Sequence, residues 1–287
     1  MDLIIETLFH ACVHAGVDCL KMLPFLFAAF LLIEALEHHG SRKLARGLAR
    51  VGKAGPVAGA LVGCIPQCGF SVIAANLYAG GVISPGTLLA VFVATSDEAV
   101  LILLGNPGSA GEVLPLLAGK ILIAVLAGYV TDLVLRRRIE EPKEVGELCH
   151  HCGCHKAGAG LLRPALNHTV RIFLYLFVFT VILNLVIEIF GIRQLSTFLL
   201  GNTPVQPLAA AVVGLIPNCA ASVMLTQLYL SGAISFASVM AGLCTGAGVG
   251  LIVLFKMNES RRENLKLLGL LVATGMAAGM ALELLKF

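Results

Sequence analysis

The chain has no tryptophan, and only 13% of its residues are charged. A soluble domain carries about 25%. So little charge cannot solvate the surface of a soluble fold of 287 residues. No G-x-x-x-x-G-K-[ST] motif occurs, which excludes a phosphate-cradling ATPase loop in this chain. The first twenty residues lack a basic n-region and carry Asp2, Glu6 and Asp18. They read as an amphipathic helix and not as a cleaved signal. The nine cysteines are scattered through apolar sequence or crowded into one loop, which is not the spacing of a secreted disulfide framework.

What is present is apolar sequence in long runs. Residues 22–36, 84–104, 113–135, 172–190, 235–255 and 264–285 approach or reach the roughly 20 residues that cross a bilayer. The expected class is an all-α polytopic membrane protein. No catalytic residues are expected, and no nucleic-acid partner. The lipid bilayer is the first partner; whether the chain forms a homo-oligomer stays open.

One stretch repeats. GCIPQCGFSVIAANLYAGGVIS (63–84) and GLIPNCAASVMLTQLYLSGAIS (214–235) align without gaps at an offset of 151. Pro66, Cys68, Ser71 and Tyr78 meet Pro217, Cys219, Ser222 and Tyr229; Gln67 meets Asn218, and Asn76 meets Gln227. The same offset pairs Glu37 with Glu188, Gly128 with Gly279 and Asp132 with Glu283. The expected organisation is a first repeat half at 1–140, a linker at 141–162 and a second half at 163–287.

Charge sets the orientation. The loop 41–53 holds five basic residues, whereas its counterpart 192–203 holds only Arg193. Residues 105–112 hold none, whereas 256–266 hold Lys256, Arg261, Arg262 and Lys266. Equivalent loops have opposite bias, so the positive-inside rule predicts halves of opposite orientation, with the stretch 136–163 cytoplasmic. Each half is then three spanning helices plus a re-entrant broken-helix hairpin, about ten helices in all. The hairpin tips are Pro66-Gln67-Cys68 and Pro217-Asn218-Cys219.

A broken helix at membrane depth is tolerated only where protein or a wet cavity satisfies the freed backbone. One proline kink is ordinary packing. Two symmetry-related kinks, each followed by an amide and a cysteine, point to an ion site between half-helices. The candidate ligands are Gln67, Cys68, Asn218 and Cys219, with Cys64, Ser71, Ser222, Asn76 and Gln227 near them. Cys12, Cys19 and Cys244 read as core filler, the commonest role of a lone cysteine. Asp97 and Glu98 lie within a span, where each carboxylate costs about 3 kcal/mol on insertion scales. They are expected to bind a cation or carry a coupling proton. Glu34, Glu37 and Glu188 are candidate vestibule acids, although Glu34 and Glu37 could equally be a solvated helix end. Finally CHHCGCH packs Cys149, His150, His151, Cys152, Cys154 and His155 into seven residues, a metal-binding composition.

P-Q-C-G-F-S (66–71), A-T-S-D-E-A (94–99), L-P-F-L-F (23–27), I-E-x-x-E-H (33–38) and N-H-T-V-R-I (167–172) together resemble the ten-helix heavy-metal exporters of the arsenic-permease type, some labelled manganese transporters. The resemblance spans nearly the whole chain. It implies a metal or metalloid exporter in a bacterial inner membrane. No cofactor is required; the cargo class (zinc, manganese, copper or arsenic) is open. Two alternatives stand: a manganese(II) exporter using carboxylates and amides, and a membrane metal sensor or thiol redox protein.

Overall fold

The computed structural model describes residues 54–66, 69–95, 97–105, 108–135 and 205–285, with scattered helical positions, one or two at a time, between 13 and 31 and between 166 and 182. All regular structure among them is helical. The first half contributes α1 (Gly55–Gly63), α2 (Gly69–Ala79), α3 (Pro85–Ala94), α4 (Asp97–Gly105) and α5 (Val113–Leu135). The second contributes α6 (Gln206–Gly214), α7 (Cys219–Leu230), α8 (Phe236–Thr245), α9 (Val249–Met257) and α10 (Arg261–Leu284). Both ends of α1 and α6, and both ends of α3 and α8, are 151 residues apart.

The same local chemistry builds both halves. Ser84 and Ser235 cap α3 and α8, accepting from the backbone N–H of Thr87 and Ser238 at 3.1 Å. Pro85 follows Ser84 at the first helical position, where a missing N–H costs nothing. Each cap serine also donates at 2.9 Å to a carboxylate of the long helix of its half, Ser84 to Asp132 and Ser235 to Glu283. Gly128 and Gly279 let those long helices come close. A Cβ on Gly128 would lie 2.7 Å from Pro56 Cβ and 2.8 Å from Gly86 O; one on Gly279 would lie 2.8 Å from Pro207 Cβ and 3.1 Å from Ala237 O. Substituting Ser84 or Ser235 by Ala removes a cap and a carboxylate partner together. Each is expected to destabilise by about 1–2 kcal/mol, read as a lower melting temperature in detergent.

The arms α2 and α7 end alike. Gly81 and Gly232 have φ of 72° and 71°, a conformation natural to glycine. Val82 N donates to Leu77 O, and Ala233 N to Leu228 O, at 2.9 Å or less. This turn satisfies the last helical carbonyls and aims the chain into the next cap. The hairpin arms have 9, 11, 9 and 12 residues. That is about 14–18 Å, half the roughly 30 Å of a hydrocarbon core.

Four stretches are long and apolar enough to cross a membrane: Pro85–Gly105, Val113–Leu135, Phe236–Met257 and Arg261–Leu284. The first and third are buried at the centre of the bundle. The second and fourth lie outside and expose Leu114, Leu122, Leu126, Leu133, Leu265 and Leu284. The inner two differ from the sequence expectation of continuous spans. The first breaks after α3, where Thr95 has ψ 126°. The second breaks at Gly246–Gly248, with Gly248 at φ 54°, ψ −145°. Glycine reaches that backbone without strain, and the Thr95 hydroxyl donates back to Val91 O at 2.7 Å, as a short polar side chain at a helix end does.

Within each half, the first hairpin arm, the inner span and the outer span pack together: α1, α3 and α5, and likewise α6, α8 and α10. The remaining arms are exchanged. α2 packs on α9 of the other half, and α7 on α4. α3 also touches α8.

Candidate functional site

Each hairpin turn lies against the interruption of the inner span that follows it. Gly63 closes α1, and a Cβ there would sit 2.6 Å from Val91 O and 2.9 Å from Ala94 Cβ, in the last turn of α3. Gly214 closes α6, and a Cβ there would overlap Gly242 O and Thr245 Oγ1, in the last turn of α8. Only glycine permits this approach. The halves meet at the same level: a Cβ on Gly250, in the first turn of α9, would lie 2.7 Å from Ser71 Cβ in the first turn of α2.

Lys120 stands where these ends converge. It belongs to α5 and is fully buried. Its Nζ donates to the backbone carbonyl of Thr95, which caps α3, and to that of Leu243, in the last turn of α8, at 2.9 Å. In an unbroken helix Leu243 O would accept from Ala247 N, but Ala247 N donates instead to Thr245 O at 2.8 Å. The interruption therefore frees a carbonyl, and the ammonium takes it. Both helix ends carry the negative pole of their dipoles, which favours a cation, and charge-assisted bonds offset the cost of burying one. The thiols of Cys64 and Cys244 lie within electrostatic reach of the same ammonium. Cys64 is half-buried and Cys244 fully buried.

The repeat keeps its scaffold and drops its chemistry at this point. In register, Lys120 is matched by Leu271, Cys64 by Leu215, Cys244 by Val93, Thr95 by Gly246 and Asp97 by Gly248. Leu271 is buried in the apolar core. The residues that break the repeat thus gather around one of two equivalent positions.

The residues expected from the sequence are placed as follows. Asp97 and Glu98 open α4 rather than sit within a continuous helix. Cys219 opens α7. Asn218 is buried and caps α7, accepting from Ala220 N at 3.1 Å. Ser71 is buried at the contact with Gly250. Ser222 lies one turn into α7, where its carbonyl accepts from Thr226 Oγ1 at 2.7 Å. Asn76 is buried and donates to Val72 O at 3.0 Å, and its Oδ1 has no hydrogen-bond partner. Gln227 is exposed. Gln67, Cys68, Glu34, Glu37, Glu188 and the cluster Cys149, His150, His151, Cys152, Cys154 and His155 lie outside the described residues. Among the described residues no three of His, Cys, Asp and Glu come together as a metal site. Sequence reasoning missed Lys120 and Thr95; Cys244, read as core filler, is buried in the apolar core. The available signal was a lone lysine inside the run 113–135 facing a leucine in the repeat.

Comparison with known families bears on this bundle of buried, interrupted helices. A family profile described as "Putative, 10TM heavy-metal exporter" matches residues 20–200 and 170–286. The chain belongs to this family. As a heavy-metal exporter family member it is a multi-pass membrane protein, whose outer helices α5 and α10 present their exposed leucines as a membrane-facing surface requires. The family description names a heavy metal as cargo, and among the described residues the thiols of Cys64 and Cys244 lie within electrostatic reach of Lys120. No curated protein and no solved structure matches the chain.

Proposed function

We propose that the chain is a secondary-active exporter that moves a heavy-metal or metalloid ion by alternating access, binding it where the two hairpin turns and the two span interruptions meet. One observation carries this reading. A fully buried ammonium joins the broken ends of α3 and α8, one from each half, with the thiols of Cys64 and Cys244 within its electrostatic reach. Irregular backbone and charge at that depth are costly in hydrocarbon and belong to a site. Thiol ligands select soft or borderline ions such as zinc, copper(I) or trivalent arsenic over manganese.

In this reading the halves are inverted repeats of five membrane segments each: two hairpin arms, the interrupted inner span counted once, the outer span, and the segment around 13–31 or 166–182. The opposite basic bias of equivalent loops supports inversion. So does the reciprocal exchange of α2 with α9 and α7 with α4. Gln67, Cys68, Asn218 and Cys219 would complete the ligand set from the hairpin tips. Asp97 and Glu98 would alternate between the cation and a proton taken from outside, coupling export to the proton gradient. The cytoplasmic Cys/His cluster at 149–155 would hand metal to the pore. Growth of an efflux-deficient bacterium across zinc, copper, arsenite and manganese tests the proposal. Expression should raise tolerance to a soft ion and lower its cytosolic content; indifference to every metal would sink it.

Two equivalent contacts could serve as gates. Tyr78 donates to Glu263 at 3.5 Å, and Tyr229 lies within electrostatic reach of Glu112. The residues of one pair are the repeat mates of the other, and each pair joins the two halves. Inversion would put the pairs on opposite faces, one closed while the other opens. Tyr78→Phe and Tyr229→Phe should then bias the protein in opposite directions. Labelling of a single engineered cysteine in the site by an impermeant maleimide, from each side, reads this; a shift in the same direction for both counts against the gates.

A further inference from the structure

We propose that the carbonyls of Thr95 and Leu243 form a monovalent-cation site that the chain fills with its own Lys120 ammonium, in the position a coupling sodium ion would take. The site follows from the geometry alone; its meaning for coupling rests on the exporter reading above.

The site has the parts of one built for a free cation. Its oxygens are backbone carbonyls at helix interruptions, one from each half, separated by 148 residues in the chain. The negative ends of two helices point at it. Such ends are where half-helix transporters hold sodium. Here the occupant is covalently attached through α5, and it cannot leave when the halves rock. The electrostatic link between α3 and α8 is therefore permanent, and no free sodium or potassium is needed to complete it. The second, repeat-related position needs no cation, because Leu271 replaces the lysine there and packs in the core. Thr245 adds a seal in the same last turn of α8 as Leu243: its hydroxyl donates to Ala211 O at 2.7 Å and lies 2.9 Å from Gly242 O, holding the end of α8 against α6.

Truncation should turn the tethered cation into a soluble one. Purified Lys120→Ala in detergent should melt on the order of 10 °C below the wild type, since a buried ionic partner is lost. Ethylammonium or sodium should recover several degrees of that loss in a saturable way. Tetramethylammonium, equal in charge but bulky and without N–H, should recover none. The wild type should respond to none of them. Equal stabilisation by tetramethylammonium, or none by any cation, overturns the proposal. If the alanine variant does not accumulate, Lys120→Met carries the test. Its side chain fills the volume without a donor, so it must melt below the wild type with or without added cation; a wild-type melting temperature overturns the site.

Transport separates this inference from the exporter reading. Wild-type export should proceed within twofold of its normal rate when N-methylglucamine replaces sodium and potassium, and an absolute requirement for either overturns the coupling claim. Cation rescue of Lys120→Ala stability with no export of any metal by the wild type would leave the site standing and remove the exporter reading instead.

Discussion

Asp97→Asn is expected to fold, reach the membrane and export nothing. Asp97 is the first residue of α4, just past the interruption at Thr95 whose carbonyl holds Lys120. A carboxylate at membrane depth costs about 3 kcal/mol on insertion scales. The helix N-terminus returns only about 0.3–1 kcal/mol. Packing gives no reason to keep it, because the repeat manages with Gly248 at the same position. The asparagine has the same shape, so the fold should survive. It cannot hold a negative charge or carry a proton. Uptake of radioactive zinc or of arsenite into everted vesicles should fall at least about 100-fold, which is ~2.7 kcal/mol of lost stabilisation, with unchanged melting temperature. Export at the wild-type rate would remove Asp97 from the site. A protein working by thiol chemistry alone would be indifferent to the change, so the result also separates the transporter from the sensor or redox reading.

Gly214→Val is expected to lower stability and abolish export together. The glycine ends α6 directly against α8, and any Cβ would overlap Gly242 O and Thr245 Oγ1. The obstacle is backbone, which cannot rotate away. The hydroxyl of Thr245, meanwhile, already bonds the carbonyl of Ala211 one turn earlier in α6. Overpacking of this kind costs about 1–3 kcal/mol or more, equivalent to roughly 5 °C or more in melting temperature. Separating α6 from α8 also moves the end that presents Leu243 to Lys120, so export should fail even in the fraction that folds. Gly105→Ala supplies the control, because a Cβ at Gly105 meets nothing within 4 Å and should leave stability unchanged. A wild-type melting temperature for Gly214→Val would mean that hairpin and span are not in contact as described.

Much of the scaffold was legible in the sequence because it rests on local rules. Pro66 and Pro217 bar continuous helix through the backbone of their own neighbours. The offset of 151 exposed the repeat without structure, since proline, cysteine and tyrosine cannot fall into register by apolar bias. The interruptions at Thr95 and at 246–248 were hidden because each is short and hydropathy, averaged over a whole span, stays high across it. Lys120 was hidden for a different reason. A single lysine in an apolar run usually extends along the helix to reach water, and only its surroundings decide otherwise.

The amino-acid order by itself determined that this chain is a bundle of membrane-length and half-length helices, made twice, because composition, turn residues and caps act over a few positions. Tertiary structure alone decided that Lys120 reaches no water and instead joins two carbonyls, one 25 residues away and the other 123. The physical reason is that a buried ammonium is stable only where oxygens freed by broken helices converge on it, and convergence of distant chain segments is written in packing, not in any local pattern.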